Sequence, residues 1–308
     1  MKRAAAVVAG VVLMVTAMAG IAFAGPHYSG WATAQKVDDI AGNSSEVNTP
    51  SLDGCPHQSP DGLSLYMASN RPRFVGDPRT DLDIWVAHRA AKDAPWGAPQ
   101  NLGEPVNSTA DDFCPTPLRG GDLFFVSREP LPGSCGMGDI YLARSDHEGG
   151  FREPKHLACG PAGPNSSLDE QGPSYVRVDG RRLLYFSSGP DIYVSERSGW
   201  AFGPAVAVTE LNSASSDIQP NLRHDGLEVV FASNRRAGTD QDIWVATRAS
   251  IDDPFSAPVM LGGEVNTTDK SETRPSFSWD AQTLYFGRTP GPEGSTDIHV
   301  TTRTKIPG

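Results

Sequence analysis

A short motif, Asp-Ile followed by Trp, Tyr or His, occurs five times in this 308-residue chain. The copies begin at Asp83, Asp139, Asp191, Asp242 and Asp297, at intervals of 56, 52, 51 and 55 residues. Near-regular recurrence of this length indicates a repeated structural unit. The number and content of these units constrain the fold more than any other feature of the sequence.

Each complete unit contains four segments. An acid-x-x-Pro step opens the first, and a turn such as "SPDG" or "RHDG" leads to an alternating run such as "LSLYMAS" or "LEVVFAS". The Asp-Ile motif starts the third segment, as in "DIWVATR", and the fourth contains Pro and closes on Asn followed by Ser or Thr. Alternation of apolar and polar residues between turns predicts short strands, so the chain is expected to be all-β with four strands per unit.

The fifth unit ends at the C-terminus without a fourth segment, and residues 30–49 carry the aromatic start and Asn-Thr close that it lacks. We therefore predict a single five-bladed β-propeller, closed by the N-terminal segment supplying the outer strand of the last blade. The predicted blades span 50–107, 108–165, 166–212, 213–266, and 267–306 together with 31–48.

The first 24 residues are typical of a secretory signal peptide. Lys2 and Arg3 precede the apolar run 4–21, and Ala22-Phe23-Ala24 offers a small-x-small cleavage site; a membrane anchor is the alternative. The remaining residues, 25–308, carry 24 basic and 37 acidic side chains, a net charge of −13. This balance disfavours nucleic acid and anionic lipid as partners. We expect an exported monomer, periplasmic or extracellular, with no membrane span after cleavage.

Together these elements resemble the TolB-like, WD-repeat-like propeller repeats of bacterial envelope or secreted proteins. The resemblance rests on "SPDG", an apolar strand, "SNR", a polar loop and "DIW", and it covers all five units. It implies a protein that holds partners, either proteins or polymers of the cell envelope.

Ion pairs and disulfides are expected to fix the loops. An arginine ends the second strand of four units, and adjacent strands would place it near the aspartate that starts the third. The predicted pairs are Arg71–Asp83, Arg128–Asp139, Arg235–Asp242 and Arg288–Asp297. Four cysteines in an exported chain suggest two disulfides. Strand order favours Cys135–Cys159 and Cys55–Cys114, with two other connectivities and a zinc site left open.

The acid-x-x-Pro residues are the candidate site. Because they open the innermost strands, their carboxylates would approach the channel mouth on one face. They are Asp53, Asp112, Glu170, Asp217 and Glu272. Either they bond backbone and arginine, or they form a ring that binds a cation or a cationic group. Metal content is left undecided and no cofactor is expected. The residue before each proline varies between blades, which makes Gln219 and Arg274 further candidates for ligand binding.

These features favour a non-catalytic propeller that binds a partner, protein first and glycan second, through the loop face and channel mouth. No nucleophile elbow, His-Glu-x-x-His motif or phosphate-binding loop is present in the sequence. The alternative is a glycoside hydrolase using axis-facing carboxylates among Asp53, Asp112, Glu170 and Asp217, since that chemistry requires two suitably spaced acids.

Overall fold

The structure is a computed structural model that describes residues 27–146, 148–236, 238, 240–292 and 295–307. The predicted signal peptide lies outside these residues. Every regular element within the described ranges is a β-strand. No helix long and apolar enough to cross a membrane occurs among them.

The strands form five sheets arranged as blades, together with a small terminal pair. The chain begins with β1 (His27–Tyr28) and β2 (Gln35–Lys36). Blade 1 contains β3 (Asp53–Gln58), β4 (Ser64–Ser69), β5 (Asp83–His88) and β6 (Gln100–Asn101). Blade 2 contains β7 (Asp112–Pro117), β8 (Leu123–Ser127), β9 (Asp139–Ala143) and β10 (Lys155–His156).

The remaining blades repeat this order. Blade 3 contains β11 (Glu170–Val178), β12 (Arg181–Ser188), β13 (Asp191–Ser198), β14 (Ala201–Phe202) and β15 (Val206–Ala207). Blade 4 contains β16 (Asp217–Leu222), β17 (Glu228–Ser233), β18 (Asp242–Thr247) and β19 (Val259–Met260). Blade 5 contains β20 (Ser271–Phe277), β21 (Thr283–Thr289) and β22 (Asp297–Thr302), and β23 (Lys305–Ile306) ends the chain.

The N-terminal segment closes the ring. Strand β2 pairs with β22, with Gln35 opposite Val300 and Lys36 opposite His299, and so becomes the outer strand of blade 5. Strands β1 and β23 add a second antiparallel pairing between the two ends. The predicted five-bladed propeller and its closure are therefore confirmed.

Strand register explains why an acid and the Asp-Ile motif recur together. In blade 1, Ser69 at the end of the second strand pairs with Asp53 of the inner strand and with Asp83 of the third strand. The other four blades have the same register. Each blade thus places its two acids in one row, at the face that carries the inter-blade loops.

The Asn-Ser/Thr close fastens the outer edge of each blade. In blade 1 the side-chain amide of Asn107 donates to the carbonyl of Ile84, and its oxygen accepts from the amide of Ile84. Asn48, Asn165, Asn212 and Asn266 make the same two bonds to the isoleucine of their blade. This contact accounts for the recurring asparagine, whereas the isoleucine of the motif is explained by its complete burial in every blade.

The inner strands all bend at the residue before proline. That residue has a φ of 47° to 57° in every blade, and the pairing register shifts beside it. The five residues are Cys55, Cys114, Gly172, Gln219 and Arg274. A bulge re-aims side chains locally. The bends bring these residues together along the axis of the propeller.

Candidate functional site

The arginines at the ends of the second strands bond to acids, but not to the predicted ones. The observed ion pairs are Arg71–Asp53 (2.5 Å), Arg235–Asp217, Arg288–Glu272 (2.8 Å), Arg128–Asp111 (2.9 Å) and Arg128–Asp169 (2.8 Å). This corrects the predicted pairing of Arg71, Arg128, Arg235 and Arg288 with Asp83, Asp139, Asp242 and Asp297. Three of the arginines thus bond to the acid that opens the inner strand.

The reason for this choice lies in the loops between blades. Beyond its ion pair, Arg71 donates to the backbone carbonyls of Glu46 and Val47, which belong to the segment leading into the inner strand. Arg235 and Arg288 make equivalent bonds to Leu211 and Val265. Turning toward the inner strand satisfies a carboxylate and backbone carbonyls together.

The aspartates of the Asp-Ile motif have other partners. Asp83 bonds to Arg79 (3.0 Å) and to the side chain of Asn101 (2.8 Å). Asp139 accepts from the amide of Cys135 (2.7 Å) and lies 3.0 Å from His156. Asp242 pairs with Arg236 at 2.9 Å. These contacts hold each loop through residues within the loop or on the outer strand.

All five acids that open the inner strands are buried, with no exposed surface. In blades 1, 4 and 5 the arginines described above neutralise Asp53, Asp217 and Glu272. Asp112 and Glu170, in blades 2 and 3, have no arginine partner among the residues that the structure describes. The expected ring of five equivalent carboxylates is therefore two groups of different chemistry, and a role of any member in ligand binding stays a prediction.

Asp112 and Glu170 are held by serines instead of cations. Asp112 accepts a hydrogen bond from the amide of Ser108 at 2.5 Å, and Glu170 accepts from the hydroxyls of Ser166 (2.5 Å) and Ser188 (2.7 Å). Burial raises the pKa of Asp112 to about 6, although hydrogen bonds from Ser127 and Ser108 oppose the rise. Burial also raises the pKa of Glu170. Asp112 thus keeps its proton up to about pH 6, above the range of an ordinary aspartate.

Asp112 forms part of the wall of a cleft of about 280 Å³ between blades 1 and 2. The lining also includes Phe125, Tyr141 and the acids Glu129 and Glu153. The Glu129 carboxylate accepts a hydrogen bond from the hydroxyl of Thr109 at 3.1 Å. The cleft therefore combines a buried acid of raised pKa with a second, partly exposed carboxylate.

One loop holds both carboxylates. The amide of Ser108 bonds to Asp112, and the hydroxyl of the next residue, Thr109, bonds to Glu129. Consecutive Cα atoms are only about 3.8 Å apart. The Asp112 and Glu129 carboxylates are therefore anchored by neighbouring residues of one loop.

The axis of the propeller is largely filled. Cys55 and Cys114 form a disulfide between blades 1 and 2, with Cα atoms 4.8 Å apart, and Gln219 donates from its side chain to that of Gln171 at 2.8 Å. The guanidinium of Arg274 lies against Gly54, and burial lowers its pKa to about 10. The remaining axial space is about 30 Å³. Gln219 and Arg274 therefore face the axis, as predicted, in a space too small for more than a water molecule or an ion.

The second disulfide joins Cys135 to Cys159, so both predicted pairings are confirmed. His156 brings a ring nitrogen beside this bond, and the ligand atoms of the three residues lie within 4.8 Å of one another. Both sulfur atoms are taken by the disulfide, which leaves the imidazole of His156 to bond to Asp139.

A cavity of about 530 Å³ lies at the opposite end of the propeller, where the inner strands finish. Its lining residues come from the far ends of the inner strands and from the turns that follow them, and include His57, Arg119, Arg177, His224 and Trp279. We predicted ligand binding on the loop face, and no sequence motif pointed to this cavity. The residues at the turns after the inner strands, "LRGGD" and "RHDG" among them, were interpreted only as turn formers.

No protein-family model matches the chain, and no curated protein sequence is significantly similar to it. Solved structures do resemble it. A family-43 endo-arabinanase from Bacillus licheniformis has a TM-score of 0.56 at 13% identity, covering 82% of this chain and 94% of that one. An endo-arabinase from Bacteroides thetaiotaomicron has a TM-score of 0.56 at 16% identity, covering 86% and 99%. TolB from Acinetobacter baumannii has a TM-score of 0.46 at 16% identity, covering 83% of this chain and 55% of TolB.

These comparisons support the propeller fold but not membership of the TolB-like family. Most of the similar structures are glycoside hydrolases. That finding overturns the prediction of a non-catalytic partner-binding protein and favours the alternative, a glycoside hydrolase. At these identities the likeness establishes the fold alone, so the choice of activity depends on the residues of the chain itself.

Proposed function

We propose that the chain hydrolyses glycosidic bonds in the cleft between blades 1 and 2, with Asp112 as the proton donor. The observation that carries the proposal is the environment of Asp112, a buried carboxyl without a cationic partner whose pKa is raised to about 6. A general acid must hold its proton at the working pH, and burial is a means of achieving this.

Glu129 is the second carboxylate of the proposed mechanism. Asp112 gives its proton to the glycosidic oxygen as the bond from that oxygen to the anomeric carbon breaks, and Glu129 takes a proton from the attacking water. Thr109 orients Glu129, and Ser108 orients Asp112. Asp53 and Asp217, the other acids of the predicted hydrolase site in blades 1 and 4, are paired with arginine and are not assigned a step.

The two disulfides support an exported enzyme. Both disulfides form between cysteines that the fold brings together, as is usual in oxidising compartments. That the repeats of this scaffold are of the TolB-like kind remains a proposal. A monomer, without nucleic acid, membrane span or cofactor, remains our expectation for the mature chain.

The test is hydrolysis by the purified chain of arabinan, xylan, galactan and polygalacturonate, measured as reducing sugar released. Asp112→Asn is expected to lower kcat/KM on the hydrolysed polymer by about 100-fold or more, because it removes the transferable proton. Glu129→Gln is expected to have a comparable effect. Glu148→Gln, an exposed acid outside the cleft, is the matched control and is expected to keep full activity.

The pH dependence provides a second test of the same assignment. Activity should fall as the pH rises through about 6, where Asp112 loses its proton. Absence of hydrolysis on all four polymers, or activity that survives Asp112→Asn in a folded protein, would overturn the proposal.

A further inference from the structure

The cavity at the end of the propeller opposite the Asp112 cleft concentrates positive charge in an acidic protein. Arg119 lies in the turn after β7, Arg177 in β11 and Arg197 in β13, and all three line the cavity. The chain as a whole carries a net charge of −11. A positive concavity in such a chain requires an explanation other than general solubility.

These three arginines have no anionic partner among the residues that the structure describes. The fourth lining arginine, Arg144, is different because it donates to Asp122 at 2.6 Å. Asp122 is the acidic residue in the lining. Nε of Arg197 is buried and has no hydrogen-bond partner in the described part of the chain. An unsatisfied buried donor is costly, and an anionic ligand would satisfy it.

The arginines that pair with the inner-strand acids differ from the arginines of this cavity in their bonding. Arg71 and Arg288 bond both to a carboxylate and to backbone carbonyls, so their charge serves the fold. Arg177 has neither kind of bond among the described residues, and it is exposed to the cavity. The guanidinium of Arg177 therefore makes no ion pair or backbone bond that would stabilise the blade.

An aromatic contact holds part of the rim. The guanidinium of Arg119 lies 4.3 Å from the ring centre of Trp279, and the ring of His224 stacks on the same indole at 4.9 Å. Such contacts orient a cation without neutralising it. Because these side chains occupy the indole ring, the recognition of a ligand rests on charge and hydrogen bonding more than on stacking.

The floor of the cavity supplies neutral polar groups. His57 is half-buried on the inner strand of blade 1, and its removal from water lowers its pKa to about 4, so the ring is neutral at physiological pH. Gln58 and Asn221 lie beside it in the lining. Neutral donors and acceptors below a cationic rim match a molecule that carries both hydroxyl and acidic groups.

We propose that this cavity binds short acidic oligosaccharides, with Arg119, Arg177 and Arg197 contacting carboxylate or sulfate groups. The three arginines stand on separate elements, so they suit an extended ligand with several acidic groups better than a single ion. A volume of about 530 Å³ is within the range of about 300 to 1,000 Å³ usual for small-molecule sites. The site lies on the other face from Asp112, and the proposal does not depend on the proposed hydrolysis.

The experiment is isothermal titration of the full mature chain with trigalacturonate, with its uncharged methyl ester, and with a chondroitin sulfate tetrasaccharide. We expect an acidic probe to bind and the ester to bind at least tenfold more weakly. Binding of trigalacturonate alone would identify a uronate site. Binding of the chondroitin sulfate tetrasaccharide alone would identify a sulfated-sugar site. Affinity should fall as salt is raised, because exposed charges are screened.

Arg177→Gln and Arg197→Gln are each expected to weaken binding of that probe by about tenfold or more, as loss of a charge-assisted hydrogen bond predicts. Arg181→Gln is the matched control, since Arg181 is in the same blade but bonds to Glu196 and Asp252. Unchanged thermal unfolding midpoints establish that the variants are folded.

Four results would overturn the proposal. Three are equal binding of the ester, binding unaffected by both arginine substitutions, and displacement of the probe by millimolar sulfate alone, which would indicate a site for an inorganic ion only. The fourth is failure of both acidic probes to bind. None of these results bears on Asp112, so the two proposals can fail separately.

Discussion

Replacing Asp112 by Asn should stabilise the protein at neutral pH, although the side chain is buried and hydrogen-bonded. The pKa of Asp112 is raised to about 6, above the ordinary value of 3.8, with burial as the main cause. Ionisation therefore costs more in the folded than in the unfolded state. The contribution of this group to folding stability is complete below about pH 4 and is lost as the pH rises through about 6.

The size of the effect follows from the difference between the two pKa values. A difference of about two units corresponds to about 3 kcal/mol in the free energy of unfolding. Asn cannot ionise, and its amide oxygen can still accept the hydrogen bond from Ser108. The stability of the variant relative to the wild type should therefore rise by about 3 kcal/mol between pH 3.5 and pH 7.5.

The measurement is urea unfolding of both proteins at several pH values across that range, with the free energy of unfolding extrapolated to zero urea. Asp217→Asn is the matched control, because Asp217 opens the inner strand of blade 4 and is paired with Arg235. This control should lose about 3 to 5 kcal/mol at pH 7.5, since the largely buried side chain of Arg235 is left without its carboxylate. A pH-independent difference between wild type and Asp112→Asn would refute the reasoning about burial.

Three other substitutions test the scaffold by urea unfolding. Cys55→Ser removes the disulfide between blades 1 and 2 and should lower the free energy of unfolding by about 2 to 4 kcal/mol. An equally large loss in wild type treated with reductant would agree with this, and no loss in either protein would contradict it. Arg71→Met leaves Asp53 buried without its cation and should cost about 3 to 5 kcal/mol; a neutral result would mean that the pair does not hold the blade. Gly172→Ala places a methyl group 2.6 Å from the Cα of Gln219, and a cost of less than about 1 kcal/mol would contradict the close contact at the axis.

The repeat was sufficient to predict the fold because each unit carries turn, strand and loop signals in a constant order. Counting the Asp-Ile motif gave five blades, and the missing fourth segment after Asp297 predicted that residues near the start of the chain complete the last sheet. Both disulfides followed from strand order. Comparison of the five units also predicted that the acid opening the inner strand and the aspartate of the Asp-Ile motif hold the same positions in every blade.

Side-chain pairing could not be obtained in the same way. Ser69 has an acid opposite it on either side, Asp53 and Asp83, so sequence distance does not decide which of them Arg71 reaches. The decision depends on the carbonyls of Glu46 and Val47, which reach this position only when the ring is closed. The cavity at the opposite end was missed for a related reason, because its arginines come from two blades and share no local motif.

The difference between Asp112 and the acids of blades 1, 4 and 5 illustrates how a repeat acquires a special site. Glu129, two residues after Ser127, occupies the place in blade 2 that Arg71 occupies in blade 1, and Arg128 occupies the place of Asn70. Arg128 bonds to Asp111 and Asp169, and Asp112 is left buried without a cation among the described residues. Placing an arginine at this position, in the variant Glu129→Arg, should pair Asp112 as Asp53 is paired and lower its pKa. The gain in stability that Asp112→Asn brings between pH 3.5 and pH 7.5 should then shrink when both proteins carry Glu129→Arg, and an unchanged gain would mean that burial alone sets the acidity of Asp112.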